Sequence, residues 1–450
     1  MMEAGVVGGA REVTDVYGRR YRIGESDASA TRPHRTWMVR LSWLSMLAVS
    51  LFQYGFAAAV PALVRRDGFT LWQVLGVLAG WVVCQAGVAL PAVWVFQRAG
   101  RRLAVPMLGG AVLCLVALVT LARSGSVVEL LLGYSVPGGI GAGLVYVACI
   151  GVASEWFPER IARTAGVVSG AFGYGALPFV VAAAYARGTG DLTLLVEIAA
   201  GVVFVVLATT GVLLRRPPAH WWPPHIDPQS WAVDRRLNRS IPNNMPAARA
   251  YPPRAAVRSG MLPMMFVVVV LMAATAFFDI AYLAGSAVSR QPRPVLVIAS
   301  LGVLALATGV GRTLTSSLSD RLGRRRTLGL ALAVAGLAQF GLLAVVPRGE
   351  ASVVAVFAAL AGAGTGAGYS LLVSMVRDWF GVEAALSNYA MAYVGKAVGA
   401  LAGIGLAGFV LTGSSAVVAF AVAGVLSLLG AALTARMRQP GYPVLSSSGL

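Results

Sequence analysis

The chain is short of the residues on which most soluble enzymes depend. It has a single lysine, three histidines and three cysteines in 450 residues, and only 12% of it is charged. A water-soluble chain carries about 25% charged residues, so the deficit excludes a surface that mostly faces water. Cys84, Cys114 and Cys149 lie inside apolar runs. Their odd number argues against a disulfide framework and against a zinc site. His34, His220 and His225 all sit in polar segments, with no nucleophile motif or metal spacing around them. No catalytic residue, cofactor or metal is therefore expected, and the chain reads as a non-enzyme. Acids are also scarce, 18 against 36 basic residues, for a net charge of +18. The arginines form short groups between apolar runs rather than one basic face, so a nucleic-acid partner is not expected. The first 36 residues are polar, and no cleavable signal peptide is visible in them.

What fills the chain is apolar sequence, 58% by count. A helix needs about 20 apolar residues to cross a bilayer. Twelve such segments are read at 37–64, 71–96, 103–122, 127–154, 165–186, 192–214, 261–285, 294–318, 327–346, 351–376, 386–411 and 415–435. The expectation is an all-α membrane protein with five parts. These are an Arg-rich tail (1–36), a six-helix bundle (37–214), a linker (215–260), a second six-helix bundle (261–435) and a short tail (436–450). The linker holds eight arginines and no apolar periodicity, and reads as mostly irregular. With both termini inside, internal segments hold 26 of the 35 arginines, external loops hold seven, and Arg40 and Arg312 lie within spans. Tails and linker are thus expected on the cytoplasmic side of the cell membrane. The N-terminal tail reads as a solvated disordered segment or as one that touches anionic headgroups.

The halves overlay at one fixed shift of 223 residues. Arg98-Ala99-Gly100-Arg101-Arg102 matches Arg321-Leu322-Gly323-Arg324-Arg325. Gly139, Gly141, Gly143 and Tyr146 match Gly362, Gly364, Gly366 and Tyr369. Trp156-Phe157 matches Trp379-Phe380. Parallel repeats with a substrate site between them near the midplane are a transporter plan. The span-four glycines read as close-packing positions rather than ligand contacts.

Ser319-Asp320-Arg321-Leu322-Gly323-Arg324-Arg325 resembles the signature loop of the major facilitator superfamily, Gly-x-x-x-Asp-Arg-x-Gly-Arg-Arg, with Ser316 in place of the first glycine. The first-half loop keeps Arg98, Gly100, Arg101 and Arg102 but has Gln97 instead of the acid. The resemblance implies a fold of two pseudo-symmetric six-helix bundles and a conformational latch at these loops. It also implies that the latch is weaker in the first half. A narrower resemblance is to the oxalate–formate exchangers and their monocarboxylate-transporter relatives. It rests on Gly141-Ala142-Gly143-Leu144-Val145-Tyr146, Glu155-Trp156-Phe157-Pro158-Glu159-Arg160, Gly311-Arg312, Asp378-Trp379-Phe380-Gly381, Asn388-Tyr389, and Gly395-Lys396-Ala397-Val398-Gly399-Ala400-Leu401. In that family an arginine of span eight and a lysine of span eleven bind the substrate carboxylates. Both positions are filled, by Arg312 and Lys396.

The same two residues stand out without the family. Lys396 is the sole lysine and lies near the middle of span eleven, where an ammonium costs at least ~2.5 kcal/mol. Tyr389, Tyr393 and Lys396 share one helix face. Arg312 lies in span eight with Thr308 and Ser316 four residues to either side, and its planar fork matches a carboxylate. Tyr54, Tyr146 and Tyr369 are candidate walls of the site by resemblance, with ordinary packing as the alternative; Gln53 adjoins Tyr54. Asp279 in span seven shares a polar face with Thr275 and Tyr282. It reads either as an ion-pair partner of Lys396 or Arg312 or as a proton carrier.

The expectation is a monomeric secondary transporter of small mono- or dicarboxylates, such as oxalate and formate or lactate and pyruvate. It would work by alternating access, as an exchanger or with protons, in a lipid bilayer. The alternatives are a proton-coupled drug or metabolite exporter, though spans one, two, three and five hold no acid for that role, and a transporter-like membrane sensor.

Overall fold

The computed structural model describes residues 6–7, 10–23, 32–185, 189–289, 294–346, 351–413 and 415–441. Within the described residues the apolar runs fold as helices long enough to cross a bilayer. They are Arg35–Arg65, Ala104–Arg123, Val127–Trp156, Ile161–Tyr185, Leu192–Leu213, Met261–Val288, Val297–Leu322, Arg324–Val345, Ser352–Phe380, Ala385–Leu411 and Ala416–Arg436. Leu71–Gly87 and Ala89–Arg98 make one further span, bent by 41°. Counting that pair as span two gives twelve. A lipid-exposed backbone must satisfy its own polar groups, which is why each run is helical.

Several spans are interrupted, and two of the breaks fall beside Gln53 and Lys396. Span one passes through a short 3-10 turn, Ser50–Phe52, and restarts as a helix at Tyr54. Span eleven breaks at Val394, between Ala385–Tyr393 and Gly395–Leu411. Gln53 and Lys396 therefore sit at helix breaks.

Glycine sets how closely the spans approach. In span four, a side chain at Gly139 or Gly143 would strike span two at Cys84, Val88 and the Trp81 and Gln85 backbone. Gly362 and Gly366 in span ten press likewise on the span-eight backbone at Leu304 and Thr308. These are packing positions, and they fix the heights of spans two and eight. Between the halves, Gly166, Gly170 and Gly173 of span five lie against Ser316, Thr313 and Gly309 of span eight. On the side away from the linker, Trp72 of span two covers Gly408 of span eleven.

The tail and linker hold structure that hydropathy does not reveal. Strands β1 (Val6–Val7), β2 (Ala10–Thr14), β3 (Arg20–Ile23) and β4 (Trp221–Trp222) form one sheet in that order. The pairs β1–β2 and β2–β3 are antiparallel, and β3 runs parallel to β4. Residues 10–23 of the tail are thus a hairpin clasped by the linker, rather than solvated coil or a free lipid-binding arm. Asp15 holds its turn by accepting from the Tyr17 and Arg19 backbone at 2.9 Å. Trp221 then packs on Trp156 at the end of span four, ring centroids 5.2 Å apart.

Candidate functional site

Lys396 enters the site from the first turn after the span-eleven break and is 2% exposed. Its ammonium donates to Gln85 Oε1 at 2.9 Å, Gln53 Oε1 at 3.3 Å and the Tyr393 hydroxyl at 3.4 Å. Gln85 and Gln53 belong to the first half, so the lysine bridges the two bundles. The centroids of five rings, Trp81, Phe172, Phe277, Tyr369 and Tyr393, lie 5.4 to 5.7 Å from the nitrogen. Such a cage stabilises a desolvated cation through the ring quadrupoles.

Arg312, 3% exposed, reaches the same place from span eight. It donates to the Ser169 carbonyl of span five at 2.9 Å. Its guanidinium lies 4.8 Å from the Tyr369 centroid and 5.6 Å from that of Phe172. The two cations thus share the Phe172 and Tyr369 rings. Among the described residues neither forms an ion pair with a carboxylate. Among the described residues, four buried donors around them have no hydrogen-bond partner: Arg312 Nε, Tyr369 OH, Trp81 Nε1 and Ser169 Oγ. Buried polar groups are normally paired, so these unmet donors beside two cations set this place apart from ordinary packing.

Tyr54, Tyr146, Tyr369 and Tyr393 all belong to this site. Tyr54 is buried, with Thr308, Gln53 and Arg312 close to its hydroxyl. Tyr146 stacks on Tyr393 with centroids 5.2 Å apart, and its hydroxyl meets that of Tyr389 at 3.1 Å. Tyr146 comes from the first half and Tyr389 from the second, so this bond closes the site on the linker side. Beyond it lies a vestibule of about 590 Å³, lined by Ser154, Glu155, Arg377 and Tyr389 and roofed by the linker at Pro217 to Trp221. Arg377 donates across the halves to the Ser154 carbonyl at 3.1 Å.

Asp279 does not join the cations. Gln339 Nε2 of span nine donates to both its carboxylate oxygens at 2.9 Å. The ion pair with Lys396 or Arg312 is therefore absent, and a neutral amide takes that place. Of the polar face expected around Asp279, the Thr275 hydroxyl turns to the Ala423 carbonyl of span twelve at 3.0 Å. This face looks into the second bundle.

The loop residues form a network within the second half. Arg324 pairs with Asp320 at 2.6 Å and with Asp378 of span ten at 3.0 Å. Gly323 turns the chain at φ 90°, where a side chain would be strained. Arg321 offers its carbonyl to Asn243 of the linker. In the first half the residue equivalent to Asp378 is Glu155, and it pairs with Arg216 of the linker at 2.6 Å. Arg101 gives its carbonyl to the Arg216 amide, Arg98 stacks over Trp94 at 3.6 Å, and Gly100 makes the turn at φ 65°. With Gln97 in place of the acid, the linker supplies the first-half ion pair.

Sequence reasoning missed Gln85, Trp81, Phe172 and Phe277 as site residues. The 223-residue shift sets Lys396 over Gly173 or its neighbour Phe172, which was the one available pointer to a first-half ring.

Residues 264–448 match the family model of the Major Facilitator Superfamily. The match spans the second six-helix bundle. The whole chain shares the fold of a solved POT family transporter in complex with 5-aminolevulinic acid, with a TM-score of 0.63 at 11% identity. The match covers 88% of this chain and 95% of that one. The oxalate:formate antiporter of Oxalobacter formigenes is 23% identical over 423 residues, 91% of this chain and 93% of the relative. A protein of Thermoproteus tenax, described as an uncharacterized 38 kDa protein in the 23S RNA operon, is 26% identical over 88% of this chain and 95% of its own length. The chain is thus a multi-pass membrane protein with the major facilitator fold, and it is similar to the oxalate:formate antiporter.

Proposed function

We propose that this transporter carries small organic anions, mono- or dicarboxylates, by alternating access of the two bundles about the Arg312–Lys396 site. The carrying observation is the pair of cations on different helices, sharing two aromatic rings, with no carboxylate partner and four unmet donors around them. Arg312 supplies a planar fork for one carboxylate, and Lys396 a point charge for a second or for the same group. The amide oxygens of Gln53 and Gln85 accept from Lys396 where a substrate carboxylate would bind. The Oxalobacter relative, named for oxalate and formate, moves cargo of this class.

Exchange follows from the same charges. An empty site holds two positive charges that the halves must carry through an occluded state, whereas a bound anion offsets them. Asp279, held by Gln339, supports exchange over a proton route through that residue. By the excess of arginine on the linker side, that side faces the cytoplasm.

The test is an uptake panel of radiolabelled carboxylates in proteoliposomes, with wild type beside Lys396→Gln and Arg312→Gln. Uptake of the best substrate should fall at least tenfold in each variant, since a charge pair near 4 Å contributes about 4 kcal/mol at an effective dielectric of 20. Normal uptake in both folded variants refutes the site while leaving the fold untouched.

A further inference from the structure

A second basic cleft, of about 790 Å³, opens on the linker side where span five meets span eight. Arg160 and Arg163 reach it from the start of span five, Arg321 from the end of span eight, and Arg236 and Arg239 from the linker. All five are exposed. Among the described residues none of them pairs with a carboxylate. The three acids in the wall are already engaged: Glu159 with Arg35 at 2.9 Å, and Asp320 and Asp378 with Arg324. Five guanidiniums therefore face one cleft without a fixed counter-ion.

The same wall is apolar on its membrane flank. Leu314 and Leu318 of span eight are 63% and 46% exposed. A soluble carboxylate or phosphate would use the arginines and leave these leucines idle. A phosphate that carries acyl chains uses both. We propose that the cleft binds the headgroup of an anionic phospholipid. Guanidinium is weakly hydrated and binds phosphate oxygens in bidentate fashion, and basic pockets between membrane helices suit such headgroups. The arginines come from the first half, the second half and the linker. The lipid would therefore join all three on this side and favour the conformation in which they stand together. The proposal is independent of the central site and of the cargo.

The test uses purified full-length protein in detergent, titrated with phosphatidylglycerol, phosphatidylcholine or glycerol 3-phosphate while the thermal midpoint is followed. Phosphatidylglycerol should raise the midpoint saturably, and the other two should not. Each arginine near a membrane surface contributes about fivefold in affinity. Arg160→Gln with Arg321→Gln should thus raise the half-saturating phosphatidylglycerol concentration by about thirtyfold. The doubly lysine-substituted variant at the same positions should keep most of the response, which separates charge loss from misfolding. Arg326→Gln with Arg436→Gln makes the same charge change outside the cleft and should leave the titration unchanged. The proposal is overturned if this control weakens phosphatidylglycerol as much as the cleft pair does. It is equally overturned if the cleft pair titrates as wild type, or if glycerol 3-phosphate stabilises as well as the lipid.

Discussion

Gln85→Leu probes how the empty carrier holds its charge. The Gln85 amide oxygen is the nearest acceptor to the Lys396 ammonium, at 2.9 Å, and its nitrogen donates to the Tyr393 hydroxyl at 3.1 Å. Leucine keeps roughly the volume and removes both bonds. A hydrogen bond to a charged group contributes about 1.5–3 kcal/mol, so the empty occluded state loses about that much. It keeps only the longer contacts to Gln53 and Tyr393, at 3.3 and 3.4 Å. In the loaded carrier a carboxylate takes the place of Gln85, and the loss there is small. Two outcomes follow. Substrate binds the open states, in which the halves are apart and the Gln85–Lys396 bond across them is not made, so its Kd should be little changed. The empty carrier must reorient through the destabilised occluded state, so efflux into substrate-free buffer should slow about tenfold, while exchange keeps its rate. Proteoliposomes loaded with labelled substrate measure both fluxes side by side. If efflux and exchange slow together, or Kd rises, then Gln85 serves the substrate directly and the reasoning fails.

Other expectations concern the gate, the packing and the acid. Tyr389→Phe removes the hydroxyl bond that joins Tyr146 to the second half. Opening toward the linker should become severalfold easier at about 1 kcal/mol per bond, seen as faster thiol labelling of a single cysteine placed at Ser154. In span eleven, a side chain at Gly403 would collide with the Ala274 carbonyl and the Phe278 amide, whereas Gly405 faces open space. Gly403→Val should destabilise by at least about 2 kcal/mol and lower the thermal midpoint, while Gly405→Ala should be silent; equal effects would contradict the packing. Asp279→Asn keeps the size of a group bonded to Gln339 rather than to a cation. Exchange should stay within about twofold of wild type, by the usual tolerance of conservative changes away from a site. Its loss in a folded variant would place Asp279 in the transport cycle.

The two cations were legible because charge in an apolar span is costly and therefore conspicuous. A sole lysine in mid-span and an arginine flanked by Thr308 and Ser316 needed no fold to be noticed. Their surroundings were not legible. Gln85, Trp81 and Phe172 are amide or aromatic residues in apolar runs, where nothing in the local pattern separates a cage from ordinary packing. They also belong to the other half, more than 200 residues away in sequence, and only the closed interface brings them to Lys396. Asp279 misled for a related reason. Its helix face reads as polar, but a face does not say which neighbour it meets, and Gln339 lies two spans further on. The tail hairpin escaped because its strands are short and arginine-rich, with Val13 and Tyr21 as buried members. Its fourth strand, Trp221–Trp222, lies about 200 residues downstream. The fixed shift between halves was the most informative signal. It anticipates that Tyr146 and Tyr369 occupy equivalent places, and both rings meet Tyr393.

Direct binding, free of transport kinetics, is the sharpest measure of a shared anion site. The best carboxylate from the uptake panel is titrated calorimetrically into purified wild type, Lys396→Gln, Arg312→Gln and the double variant. Two cations gripping one anion predict a single bound molecule, a loss of about tenfold or more in each single variant, and a coupling energy of at least about 1 kcal/mol in the double-mutant cycle. Undiminished binding in either single variant, or strictly additive losses in the cycle, would contradict the account.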